Sequence, residues 1–224
     1  MRTLVFFIVM LLAASQAFGA TCAVNINPWG DYSGEVNLAW DLTGCLQATT
    51  GLTVSSNPGP WDTAYVAWNI TPTVDGYLYE YTWNAASKDL SHLILGVSDN
   101  CADSTCIWNF SGASMDFGWW GPQGESNPGL PSQLWGIKVT PPSKNTSLTF
   151  SFESNRVPVW QNFYANDGQD GGTKVYAYNA GFGSNAGGYF VAAPDSVVPE
   201  PGFYGLLSLG LAGLYLAARR RIAQ

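Results

Sequence analysis

Positive charge is scarce in this chain: nine Lys and Arg stand against 16 Asp and Glu over 224 residues. Four of the nine sit at the ends, Arg2 and then Arg219, Arg220 and Arg221. Between them only Lys88, Lys138, Lys144, Arg156 and Lys174 oppose all 16 acids, a net charge near −11. Such a surface repels phosphate backbones, which excludes nucleic acid as a partner. Histidine occurs once, as His92. One His and four Cys expected to be oxidised cannot build the usual tetrahedral zinc set. A hydrolytic triad would need His92 beside a nucleophile and a carboxylate; its place inside a strand-like run reads instead as a hydrogen-bonded structural histidine. No Gly-rich phosphate motif opens a helix. Long Ala/Leu/Glu/Lys helical patterns are missing from the body, and no period of 20 to 50 residues repeats, which argues against a solenoid or propeller.

Aromatics, glycine and proline fill the space that charge leaves: 10 Trp, 11 Tyr, 11 Phe, 25 Gly and 13 Pro. Short aromatic and β-branched runs separated by Gly, Pro, Asn and Asp predict an all-β fold, a jelly-roll-like β-sandwich. Expected strands are Glu35 to Leu42, Leu46 to Val54, Trp61 to Ile70, Tyr77 to Trp83, Ser91 to Ser98, Leu134 to Thr140, Ser147 to Ser154, Val157 to Ala165, Thr173 to Tyr178 and Tyr189 to Ala192. Tyr77, Tyr79, Tyr81 and Trp83 alternate most clearly and read as a core face. Asp99 to Pro131 reads as one long irregular segment, functional or covering.

Chemistry-bearing residues in the body are few. Paired carboxylates suffice for glycoside hydrolysis, but a sequence does not give their separation. No cofactor is expected. The acidic turn Asn166-Asp167-Gly168-Gln169-Asp170 is the one place where Ca²⁺ would bind, at Asp167 and Asp170; it lacks a downstream bidentate Glu, so a plain turn is the default. Trp119 and Trp120, in a Gly-flanked loop, are the candidates for stacking on sugar rings.

Both ends are apolar. Arg2, an apolar run from Leu4 to Ala14 and small residues after it make a secretory signal peptide over residues 1–19, cut after Ala17 or Gly19. Export places Cys22, Cys45, Cys101 and Cys106 in an oxidising compartment, where an even count predicts two disulfides. Three connectivities exist; the spacing favours Cys22–Cys45 and Cys101–Cys106. At the other end, Phe203 to Ala218 is uncharged and carries Leu206, Leu207, Leu209, Leu211, Leu214 and Leu216. As a helix it reaches roughly 24 Å, short of the ~30 Å hydrocarbon core, and Arg219, Arg220 and Arg221 close the gap by snorkelling from the cytoplasmic side. It is expected to be a single transmembrane helix.

Pro199-Glu200-Pro201, a short apolar helix and a terminal arginine cluster, in that order, resemble the PEP-CTERM sorting signal of Gram-negative bacteria. The resemblance covers Val198 to Arg221 within a tail of residues 196–224. It implies an exosortase-type processing enzyme as partner, with Pro199, Glu200 and Pro201 as recognition residues, and attachment to the membrane through the helix. Residues 20–195 are then the exported domain. Within it, Leu90-Ser91-His92, Asn127-Pro128-Gly129 through Trp135-Gly136-Ile137-Lys138, and Pro158-Val159-Trp160 through Phe163-Tyr164-Ala165 together resemble an exported domain that recurs in proteins bearing this tail. The family's association with exopolysaccharide producers makes glycan the expected partner. The expected function is therefore that of a non-catalytic cell-surface or extracellular-matrix protein. A secreted glycan-active hydrolase and a structural coat or adhesin subunit are the alternatives.

Overall fold

The computed structural model describes residues 42–56, 58–98, 105–122, 126–167, 174–182 and 189–194. The signal peptide, the sorting tail and nearly all of the first expected strand lie outside these residues. Among the described residues no helix is long and apolar enough to cross a membrane.

The described chain is all β. Its strands are β1 (Thr43–Gln47), β2 (Leu52–Val54), β3 (Tyr65–Pro72), β4 (Tyr77–Asn84), β5 (His92–Gly96), β6 (Ile107–Ser111), β7 (Ser114–Trp120), β8 (Leu134–Thr140), β9 (Ser147–Ser154), β10 (Pro158–Gln161), β11 (Phe163–Asn166), β12 (Tyr176–Asn179) and β13 (Val191–Pro194). A five-stranded sheet runs in the order β1-β3-β4-β9-β6 and a six-stranded sheet in the order β2-β12-β11-β5-β8-β7, with β10 and β13 paired separately. Every pairing within them is antiparallel.

The two large sheets pack face to face, and the period of two along each strand decides what lies between them. Val66, Trp68 and Ile70 of β3, Tyr79, Tyr81 and Trp83 of β4, and Leu148, Phe150 and Phe152 of β9 meet Leu93, Leu95, Ile137, Val139, Phe163 and Ala177 of the other sheet. Cross-strand register sets the aromatic stacking. Tyr79 lies opposite Phe152 and Tyr81 opposite Phe150, with ring centroids 5.3 and 5.0 Å apart. Trp83 ties the layers together, stacking on Phe163 at 5.9 Å and meeting Trp61 edge-on at 4.9 Å. The Tyr81 hydroxyl donates to the Ala192 carbonyl at 2.8 Å. Burial, reinforced by Tyr79, pushes that phenol well above its ordinary pKa, so it stays a donor.

Three expectations are corrected. Leu46 to Val54 is not one strand: β1 belongs to one sheet and β2 to the other. The chain crosses between them in a turn that ends at Gly51, which has a φ of +99°. Val157 to Ala165 is likewise divided at Asn162 into β10 and β11. Buried Asn179 makes the division, accepting the Phe163 N–H at 2.7 Å and donating to Asn162 Oδ1 at 3.2 Å. Asp99 to Pro131 is not wholly irregular, since it holds β6 and β7, one at the edge of each sheet. Gly112 takes the chain from the first to the second with a φ of +91°, and a Cβ there would strike the Thr149 carbonyl.

Cys45 and Cys106 are buried, and neither is a free thiol. Cys22 and Cys101 lie outside the described residues, so the connectivity is taken up below as a proposal.

Candidate functional site

The outer face of the six-stranded sheet is not left to solvent. Register places His92 and Ile94 of β5, Tyr164 and Asn166 of β11, and Lys138 of β8 on that side. A second apolar cluster of Ile94, Leu130, Leu134, Tyr164 and Phe182 forms there, flanked by Trp120, Tyr176 and Tyr178. Residues 126–130 lie over it as a strap. Tyr164 donates its hydroxyl to the Pro128 carbonyl at 2.7 Å, and Asn166 donates its amide to the Ser126 carbonyl at 2.9 Å. Gly129 closes the strap with a φ of +70°, where a Cβ would collide with the Tyr176 ring. The three segments that resemble a recurrent exported domain thus meet at one place.

His92 is the centre of this meeting. The Asn127 amide nitrogen donates to the Gly121 carbonyl at 3.2 Å, which turns Oδ1 toward His92 Nε2, 2.9 Å away. Nε2 therefore carries the proton, and Ser91 Oγ donates to Nδ1 at 3.3 Å. Burial, then the Lys138 ammonium, lower the imidazole pKa to about 4 against the opposing pull of the Asn127 hydrogen bond. His92 is a neutral hydrogen-bonded group beneath the strap; its ring partners among the described residues are the Ser91 hydroxyl and the Asn127 amide, and no carboxylate is hydrogen-bonded to it there. Burial, with Tyr176 and Asp167 nearby, raises the Tyr164 phenol, which keeps its proton for Pro128.

The two candidate stacking residues part company. Successive strand residues point to opposite faces, so Trp120 joins the outer face and Trp119 the inner one. Trp120 donates its N–H to the Gly136 carbonyl at 3.0 Å and lies under the Lys138 ammonium, 5.1 Å from the ring centre. Trp119 lies opposite Trp135 across β7 and β8. It continues the row of Met115 and Phe117 but is 56% exposed. Its ring meets Trp135 edge-on at 5.4 Å.

Asp167, the first Ca²⁺ candidate, has its side chain fully buried, with Oδ2 2.7 Å from Lys88 Nζ and Oδ1 accepting the Val175 N–H at 3.1 Å. Asp170 lies outside the described residues. Among the described residues no group of three His, Cys, Asp or Glu converges. Two carboxylates do share the solvent face of the five-stranded sheet. Glu80 pairs opposite Ser151, two residues from Glu153, a diagonal of about 7–8 Å. Asn69 holds Glu80 at 2.9 Å. Trp108 and Asn109 hold Glu153 at 3.2 and 2.9 Å. The sequence reading missed this pair. Only the alternations Leu78, Glu80, Thr82 and Thr149, Ser151, Glu153 hinted at it, and nothing in the order of residues brings the two strands alongside.

No curated protein and no solved structure matches the chain. The family model described as the PEP-CTERM protein-sorting motif matches residues 197–221. The match spans Pro199, Glu200, Pro201, the apolar segment and the three arginines, outside the described residues. The chain therefore carries a PEP-CTERM sorting motif, which implies export, processing by an exosortase and sorting to the cell surface.

Proposed function

We propose that this is a non-catalytic surface or matrix protein that binds exopolysaccharide. In this reading a jelly-roll-like sandwich is delivered by the N-terminal signal helix and held by the C-terminal membrane helix until the tail is cut. Two disulfides, Cys22–Cys45 and Cys101–Cys106, brace the delivered domain. The observation that carries the glycan reading is Trp119. Most indoles of the described chain are packed or hydrogen-bonded, whereas Trp119 turns a large apolar plane to water beside a second indole. Aromatic planes of this kind take up the apolar faces of sugar rings without needing charge, which suits an acidic protein.

Isothermal titration with exopolysaccharide from the producing cells tests it. Trp119→Ala is expected to weaken binding about tenfold or more, the loss that follows removal of a central Trp anchor, with an unchanged unfolding midpoint. Equal affinity in the variant and the parent overturns the reading.

The hydrolase alternative keeps one specific support, the Glu80 and Glu153 pair beside Trp108. A separation of about 5–10 Å spans both glycosidase geometries. Both carboxylates are engaged by amide or indole donors on an open sheet face, which fits a cross-strand polar ladder better than a cleft.

The sorting step has its own measurement. Intact mass of the protein recovered from its own cells should show loss of the signal peptide, loss of the tail and the deficit of two disulfides. Glu200→Ala should retain the tail through Arg221. A tail removed equally well from that variant would sever the motif from the cleavage.

A further inference from the structure

We propose that β7 is a self-pairing edge: two copies of this chain join β7 to β7 antiparallel about a two-fold axis at Gly118, making one sheet from two. The other edges of the two large sheets are blunted. β2 has three residues. β6 is broken by a register shift between Trp108 and Ser111, with Asn109 at a φ of +52°. β1 has β13 close beside it. Short strands, bulges and cover are the ordinary means of keeping edges apart. Among the described residues β7 has none of them. It pairs with β8 over all seven residues without a break, and among the described residues no strand lies on its other side. It contains neither proline nor lysine, and carries exposed Trp119 one residue before its end.

Charge chooses the partner and the register. The chain carries a net −7, so two copies attract only where negative charge is answered. β7 holds one charge, Asp116, and Lys138 lies opposite it on β8, its ammonium over Trp120. Antiparallel pairing must keep like faces together, so only residues of the same parity can be opposed. A two-fold axis at Asp116 would set the two carboxylates against each other. An axis at Gly118 sets Asp116 against the partner's Trp120, which already carries the partner's Lys138, and does so twice. Each acid is then flanked by a lysine from either copy. The axis position is filled by a residue without a side chain, which permits close approach.

The pairing has a consequence for ligand binding, and this step alone rests on the glycan reading. Trp119 comes opposite the partner's Phe117 on the same face. The two Trp119 rings are then diagonal neighbours, about 7–8 Å apart at the backbone, with a Trp135 beyond each. One exposed indole becomes a stripe of four, long enough to engage successive sugars of one polymer.

Sedimentation of the full protein recovered from its own cells, without glycan, tests the pairing. A concentration-dependent dimer is expected. Gly118→Lys should leave only monomer at every concentration where the parent is dimeric, with unchanged near-ultraviolet dichroism. A Cβ at Gly118 meets the Trp120 ring at an ordinary 3.6 Å, so the copy itself accommodates the change. Gly118→Cys gives a second reading that needs no loss of fold. Cα atoms opposed across an antiparallel pair stand about 4.5–5.5 Å apart, within disulfide range. This variant should cross-link to a dimer on a non-reducing gel, and Asp116→Cys should not. A monomer throughout, a dimer indifferent to Gly118→Lys, or equal cross-linking by Asp116→Cys overturns the proposal. A dimer whose Trp119→Ala variant binds glycan as well as the parent would remove the stripe and leave the pairing standing.

Discussion

Acidification from about pH 6.5 to about pH 4 is expected to remove about 3 kcal/mol of stability through His92 alone. The unfolded imidazole titrates near 6.5, and in the folded protein burial and Lys138 hold it near 4. Between those values the unfolded chain binds the proton and the folded chain does not. Stability is therefore full above the higher value, falls as pH drops through the window, and flattens below the lower one. Urea unfolding at about pH 7, 5.5 and 4, on the parent and on His92→Gln, isolates the effect, since carboxylates move both proteins alike. The glutamine amide can still donate to Asn127 but takes up no proton. The parent should lose its advantage over the variant across the window; parallel curves would show that burial and Lys138 do not hold His92 neutral. Acid should also loosen residues 126–130 first, because a second proton on the ring puts an uncompensated charge beneath them.

Trp83→Ala is expected to cost about 3–5 kcal/mol, a large part of the roughly 5–15 kcal/mol that holds a domain of this size. Trp83 is fully buried; from β4 it reaches the other sheet through Phe163 and the turn before β3 through Trp61. Its truncation opens a cavity that neither sheet can close without leaving its own strand register. The Trp83 N–H has no hydrogen-bond acceptor, so the loss is one of packing. Trp83→Phe, which keeps most of the ring, should recover more than half of it. The urea midpoint at neutral pH is the measurement, and a shift worth less than about 1 kcal/mol would mean that the two sheets are not joined there.

Strands with an unbroken alternation were legible from the sequence. β8 and β9 are where the period of two put them, and the Tyr79, Tyr81, Trp83 row faces the core as its spacing required. Failure came where the chain changes sheets. At Gly51 and Asn162 an apolar run continues in sequence while its hydrogen-bond partners change, and periodicity carries no record of partners. β7 was hidden for another reason. Ser114-Met115-Asp116-Phe117 alternates, but Gly118 and two adjacent indoles break the pattern just where the edge strand ends. The site was legible in part. His92 was read as structural, and the turn at Asn127-Pro128-Gly129 was visible. What the turn covers depends on Tyr164 and Asn166, more than 30 residues on, which only the packed sheet brings beneath it. The tail needed no tertiary information, because its three parts are contiguous.

The strap is gripped from the sheet by two of its carbonyls: Ser126 and Pro128 accept from Asn166 and Tyr164. Carbonyls are common to every residue type, so the path of this segment is dictated from below, by the sheet. Within residues 126–130 only Ser126 and Gly129 are exposed, and Gly129 is held by its φ of +70°, so Ser126 is the side chain left free to vary. A designer wishing to display a foreign peptide on the cell envelope would do well to begin at exposed Ser126, keeping Asn127 and Gly129 as the two fixed points of the frame.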